Sequence, residues 1–185
     1  IANELLLQED MLAGARTEDE RLYYLGYALE QMRGTFYRQV MFSEFELAIH
    51  EAVERGEALT GSSMTQIYGE ILKRYHGHDA GVMEITDREM IEWAYIPHFY
   101  YNFYVYQYAT SIAGAAYFVD RLNSGSDAAR ETYIKFLEAG GSDYPLEILR
   151  AAGLDMTSRA PYDAVIDRMD AVMDQIEGIL KNREG

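Results

Sequence analysis

His98 stands directly after Pro97, and Tyr101, Tyr104 and Tyr108 follow it within a few turns of chain. Projected at about 100° per residue, Tyr101, Tyr104, Tyr108, Ser111 and Ala115 fall into one stripe of a helix. Neutral phenols are hydrogen-bond donors, with an ordinary pKa near ~10. A column of such donors beside an imidazole is a candidate active-site wall. The alternative is an aromatic core whose hydroxyls reach water or backbone carbonyls, and on the residues alone both readings stand. Phe99, Phe103, Tyr106, Thr110, Ala113 and Tyr117 form a second, roughly opposite stripe, mostly apolar, that reads as packing.

The segment that must position these residues carries no Asp, Glu, Lys or Arg from Trp93 to Val119, in a chain that is 25% charged. Its many tyrosines, with His98, Asn102, Gln107 and Pro97, are poorly suited to hydrocarbon. The expectation is therefore a helix buried among other helices, beginning near Pro97, whose fixed φ suits a helix start or a bend.

No stretch alternates as a strand would, and the pattern is helical throughout. The spacing predicts helices over 3–12, 18–55, 64–75, 127–139, 145–152 and 161–181, besides the central one ending near Asn123. Thr17-Glu18-Asp19-Glu20 and Thr86-Asp87-Arg88-Glu89 are capping boxes. The long second helix shows an apolar seam of Leu22, Leu25, Leu29, Met32, Phe36, Val40 and Leu47. Gly26 and Gly34 are its possible bending or close-packing points, and Gly56 its stop. The expected fold class is all-α, a multi-helical array in a single domain over 1–185.

Composition narrows the partners. The 185 residues carry a net charge of −15 and a pI near 4.6, which repels nucleic acid and anionic membranes. The absence of cysteine excludes disulfides and thiolate metal sites and suits a cytoplasmic location. Ile1 opens a helical pattern with no residue ahead to cap it, so the chain is expected to be a piece of a longer protein.

Metal ligation finds no complete set. His50-Glu51-Ala52-Val53-Glu54 approaches the zinc motif His-Glu-x-x-His, but Glu54 takes the place of the second imidazole. It reads more simply as a solvated pair on a helix. His76 and His78 share a glycine turn without a third ligand. Gly140-Gly141-Ser142-Asp143 offers amides to an anion, or else a helix stop followed by a helix cap.

Three segments resemble one known family: Leu29 to Glu46, with Met41-Phe42-Ser43-Glu44-Phe45-Glu46 at its end; Ile96 to Ser111; and Phe136 to Ser158. Together they are similar to the C-terminal part of oligoendopeptidase F, zinc metallopeptidases of the M3 family. The resemblance implies part of a zincin-like peptidase, helical, with a deep cleft for oligopeptide substrates. It implies zinc in the full-length protein but no metal ligand in this chain. The His-Glu-x-x-His helix and the third, glutamate ligand would lie ahead of Ile1, in the N-terminal part with which this chain would partner. Glu4, about two helical turns after that glutamate, would support the ligands from behind. His98, Tyr101 and Tyr108 would act in catalysis, binding the substrate backbone and the oxyanion, with Tyr104 in substrate binding. Alone the chain would be inactive. The rival reading is a non-catalytic helical module that holds peptides on the tyrosine surface.

Overall fold

The computed structural model describes residues 1–184, the side chain of Glu184 excepted. Among these residues there is no strand, and the class is all-α as expected. The helices are α1 (Ala2–Gly14), α2 (Glu18–Met32), α3 (Arg38–Glu54), α4 (Gly61–Tyr75), α5 (Asp87–Met90), α6 (Tyr106–Asn123), α7 (Asp127–Ala139), α8 (Pro145–Ala151) and α9 (Ala160–Glu184). No helix among the described residues is long and apolar enough to cross a membrane.

Local chemistry explains most boundaries. The Thr17 hydroxyl accepts from the Glu20 amide at 3.1 Å, and the Glu20 carboxylate accepts from the Thr17 amide at 3.3 Å, so both arms of the box close α2. Thr86 and Glu89 do the same for α5. Helix α4 begins earlier than the spacing predicts because Thr60 and Ser63 cap it reciprocally with hydroxyls. Gly56, at φ +81°, follows α3 in the left-handed conformation that stops a helix.

The predicted long helix is interrupted. Arg33–Tyr37, which contains Gly34, is a π-helical turn between α2 and α3. Such a turn inserts an extra residue and rotates everything after it. The seam shifts accordingly. Leu25, Met32 and Phe36 are buried as the periodicity predicts, but beyond the turn Met41, Phe42 and Phe45 are buried, and Leu47 is half exposed.

The chain divides into two compact units, one of Ile1–Phe36 with the segment from Thr110 onward, the other of Tyr37–Ala109. In the first, α9 packs along α2 and α1 beside α2, with Leu5, Leu25 and Val172 buried. Phe118 stacks on Phe136 at 4.9 Å between ring centroids, with Ala152 and Leu154 buried beside them. In the second, α3 packs on α4 around Phe42, Phe45, Tyr68, Ile71 and Leu72. Gly69 lets Met90 of α5 press onto α4, since a Cβ there would lie 2.2 Å from the Met90 methyl.

The central helix is the main correction. A 3-10 turn spans Glu92–Tyr95 and a second spans Pro97–Tyr101, and α6 starts only at Tyr106. Between them Asn102 and Phe103 take left-handed φ of 52° and 58°. The early part of the segment is also far from buried, with Tyr100 76% and Tyr101 61% exposed. Periodicity could not reveal the break, because the group that takes the Phe103 amide out of any helical ladder lies in α3.

Candidate functional site

The second unit gathers four of the residues singled out by sequence. His98 sits on the Pro97–Tyr101 turn, half-buried. The Tyr104 ring stacks on its imidazole at 5.8 Å and 20° between planes. Tyr101 at 6.2 Å and Tyr108 at 5.8 Å meet it edge-on. The tyrosines also touch one another edge-on, at 5.8 Å for Tyr101–Tyr104 and 5.6 Å for Tyr104–Tyr108. The Tyr108 hydroxyl lies 3.3 Å from His98 Nε2, within hydrogen-bond reach, with the donor set by the imidazole tautomer.

A continuous helix would not produce this cluster. On one, His98 and Tyr104 would lie about 120° apart around the axis and roughly 9 Å along it, and Tyr108 about 15 Å along it. The residue types were legible; the device that brings them together was not. The hydroxyl of Tyr104 beside that of Tyr108, helped by partial desolvation, holds the Tyr108 phenol above the ordinary tyrosine value. Tyr108 is thus a neutral donor across the neutral pH range.

Beneath the cluster lies an aromatic floor. Phe99 meets Phe42 at 5.3 Å and Phe45 at 5.1 Å, both edge-on. Val105 is 1% exposed and joins the same core. The turn that precedes His98 is tied down by Glu92, whose carboxylate accepts from the buried Tyr68 hydroxyl and from Arg38.

Two contributors escaped the sequence reading. The buried Glu46 accepts the Phe103 amide at 2.6 Å through Oε1. The ring of His50, one turn further along α3, lies 4.3 Å from that of Phe103. The available signal was Glu46 itself, next to Phe45 and four residues after Phe42, a carboxylate on an apolar face. His50, expected as a solvated partner of Glu54, is instead an aromatic contact. Glu4 lies in α1 of the other unit, exposed, with its carboxylate 3.3 Å from the Ile1 amine.

The described residues do not fit a zinc ion. Among the described residues no three His, Asp or Glu side chains come together as a metal site. His76 Nδ1 lies 3.0 Å from the Leu72 carbonyl, and His78 Nδ1 accepts from the Ile85 amide at 3.0 Å.

The model of peptidase family M3 fits residues 1–168, and the chain belongs to that family. It is 42% identical to Oligopeptidase PepF of Bacillus subtilis (strain 168) over 179 residues, covering 96% of this chain and 26% of that protein. To the plasmid-encoded Oligoendopeptidase F of Lactococcus lactis subsp. cremoris it is 41% identical over 180 residues, covering 97% of this chain and 29% of the relative. The crystal structure of oligoendopeptidase-F from Enterococcus faecium superposes with a TM-score of 0.89 at 32% identity, covering 97% of this chain and 34% of that one. The chain thus spans less than a third of the length of these two curated relatives.

Proposed function

We propose that this chain supplies the substrate-holding and oxyanion-stabilising side of a zinc-dependent oligopeptide endopeptidase of the cytoplasm. In this reading both compact units belong to one catalytic domain. The remainder of the protein holds the zinc, with Glu4 supporting its ligands. The observation that carries the reading is the convergence of His98, Tyr101, Tyr104 and Tyr108, with the Tyr108 hydroxyl 3.3 Å from Nε2.

The chemistry follows from those groups. When a peptide carbonyl is attacked, negative charge grows on its oxygen, and donors already aimed at that oxygen stabilise the transition state more than the ground state. Neutral phenols fit the task, and the raised pKa of Tyr108 keeps its proton in place. His98 orients Tyr108: with its proton on Nε2 the imidazole donates to the phenol oxygen and leaves the Tyr108 proton free for the oxyanion. Tyr101 and Tyr104, 61% and 36% exposed, offer ring faces and hydroxyls to the peptide backbone.

The test uses the full-length protein and an internally quenched peptide. Tyr108→Phe should lower kcat by about 10²–10³ with little change in KM, the usual effect of losing one oxyanion donor. His98→Ala should lower kcat without releasing zinc. Tyr106→Phe, about 200° around α6 from Tyr108, should leave kcat nearly intact. Wild-type kcat in the His98, Tyr101 and Tyr108 variants would refute the assignment. Peptide binding without cleavage by the unmodified full-length protein would favour the binding module instead.

A further inference from the structure

The His98 cluster exists because the backbone turns sharply between Tyr101 and Tyr104. Asn102 and Phe103 make that turn with two successive left-handed conformations, at φ 52° and 58°. Residues with a Cβ seldom adopt this region, and adjacent pairs persist only where the surroundings over-determine them. Anchors before, after and at the turn do so here. Upstream, Phe99 is set into the rings of Phe42 and Phe45. Downstream, Val105 is buried in the same core. At the turn itself α3 grips Phe103 twice, through the carboxylate of Glu46 on its amide at 2.6 Å and the His50 ring on its side chain at 4.3 Å.

Glu46 is the contact with chemical direction. It is 1% exposed, the sole buried charged residue among the described residues. A buried carboxylate is retained at a cost that an apolar side chain would avoid, so its hydrogen bond should matter. The bond it makes is to an amide that a helix continuing from Pro97–Tyr101 would claim for itself.

We infer that Glu46 is a positioning residue: by accepting the Phe103 amide it fixes the Asn102–Phe103 turn, which folds Tyr104 back onto His98 and brings Tyr108 within reach of Nε2. The inference rests on the proposed function for its catalytic consequence but not for its structural one.

The test again uses the full-length protein. Glu46→Leu removes the acceptor at similar volume. Asn102→Pro breaks the turn from the exposed side, because proline is locked near φ −65°, and it serves if Glu46→Leu does not fold. Each should lower kcat by about 10-fold or more, as misplacing positioned groups by an ångström does, with zinc content unchanged. Glu46→Gln, which keeps an acceptor oxygen, should restore most of the loss. Asn102→Gly should stay within about threefold of wild type, since glycine takes positive φ freely. The ring protons of His98, assigned in a histidine-labelled sample by comparison with His98→Ala, report the Tyr104 stack independently of catalysis. They should move in Glu46→Leu and Asn102→Pro and stay in Glu46→Gln and Asn102→Gly. If His98→Ala loses activity while Glu46→Leu and Asn102→Pro keep both kcat and the His98 signals, the positioning role is overturned and the site stands. If instead His98→Ala and Tyr108→Phe keep full kcat, the site reading fails, and movement or constancy of the His98 signals still decides for or against Glu46.

Discussion

The two compact units spend their polar groups differently. In the unit of α1, α2 and α7–α9, charges pair toward the periphery of regular helices. Arg168 reaches Glu9 at 2.6 Å and Asp120 at 2.8 Å, and Arg183 reaches Glu18 and Asp19 at 3.3 and 2.6 Å. In the unit of α3–α5, carboxylates act within or at the edge of an aromatic core and shape irregular backbone. Glu46 holds the left-handed turn, and Glu92 ties the 3-10 turn to Tyr68 and Arg38. Regular helices satisfy their own amides, so their charged side chains are free to pair with one another. A surface that gathers distant side chains must leave the helical ladder, and each freed amide then needs a partner from elsewhere.

The sharpest way to break that comparison is to remove the floor of the second unit. Phe45 is 1% exposed and meets Tyr68 at 5.2 Å and Phe99 at 5.1 Å. Phe45→Ala should lower unfolding free energy by about 3–5 kcal/mol, read by urea denaturation. Phe118→Ala in the first unit, where Phe118 stacks on Phe136, should lower stability comparably. Only Phe45→Ala should also reduce kcat of the full-length protein at temperatures where the variant stays folded. Equal activities would show that the floor does not position the site.

The first unit has its own discriminating residue. The Arg168 side chain is 18% exposed, and burial works against its charge while Asp120 and Glu9 together more than offset that effect. Arg168→Met strands two carboxylates near each other. It should cost about 2 kcal/mol, below the fully buried limit because Glu9 and Asp120 retain some water. Arg183→Met, at a more open pairing, should leave the unfolding midpoint unchanged within error. A neutral Arg168→Met would reduce both to rim contacts.

These differences also explain what could be read from residues alone. Helix starts at Thr17 and Thr86 were legible because a capping box is local, whereas Thr60 gives a weaker signal because Ser63 stands in place of the usual Glu or Gln. All-α class, the apolar seam as far as Phe36 and the identity of the four clustered residues were legible too. The π turn at Arg33–Tyr37 was visible only as Gly34, and it displaced the predicted seam from Val40 and Leu47 to Met41 and Phe45. The central segment was misread for a stronger reason. Its periodicity suits a helix, but Pro97 lacks an amide proton and the Phe103 amide is claimed by Glu46, 57 residues away in sequence. Long-range acceptors of that kind leave no periodic trace.

The smallest measurable loss is expected at the other buried polar link of the second unit. Tyr68 is fully buried and donates to Glu92, so Tyr68→Phe should cost about 1.5 kcal/mol near neutral pH, the low end for a hydrogen bond to a charged acceptor. Burial first, then the hydrogen bond to Glu92, pushes the Tyr68 phenol well above the ordinary tyrosine range. Below about pH 10 the phenol is protonated in both folded and unfolded chains, and the whole contribution is present. Above that pH the unfolded tyrosine ionises while the folded one keeps its proton, so the wild-type advantage shrinks by about 1.4 kcal/mol per pH unit. The two stability curves should therefore cross near about pH 11, with Tyr68→Phe the more stable above it. Urea unfolding of both proteins at intervals from pH 8 to about 11.5 reads this directly. A constant difference across that range would mean that Tyr68 ionises as readily folded as unfolded, and that its link to Glu92 does not confine the proton.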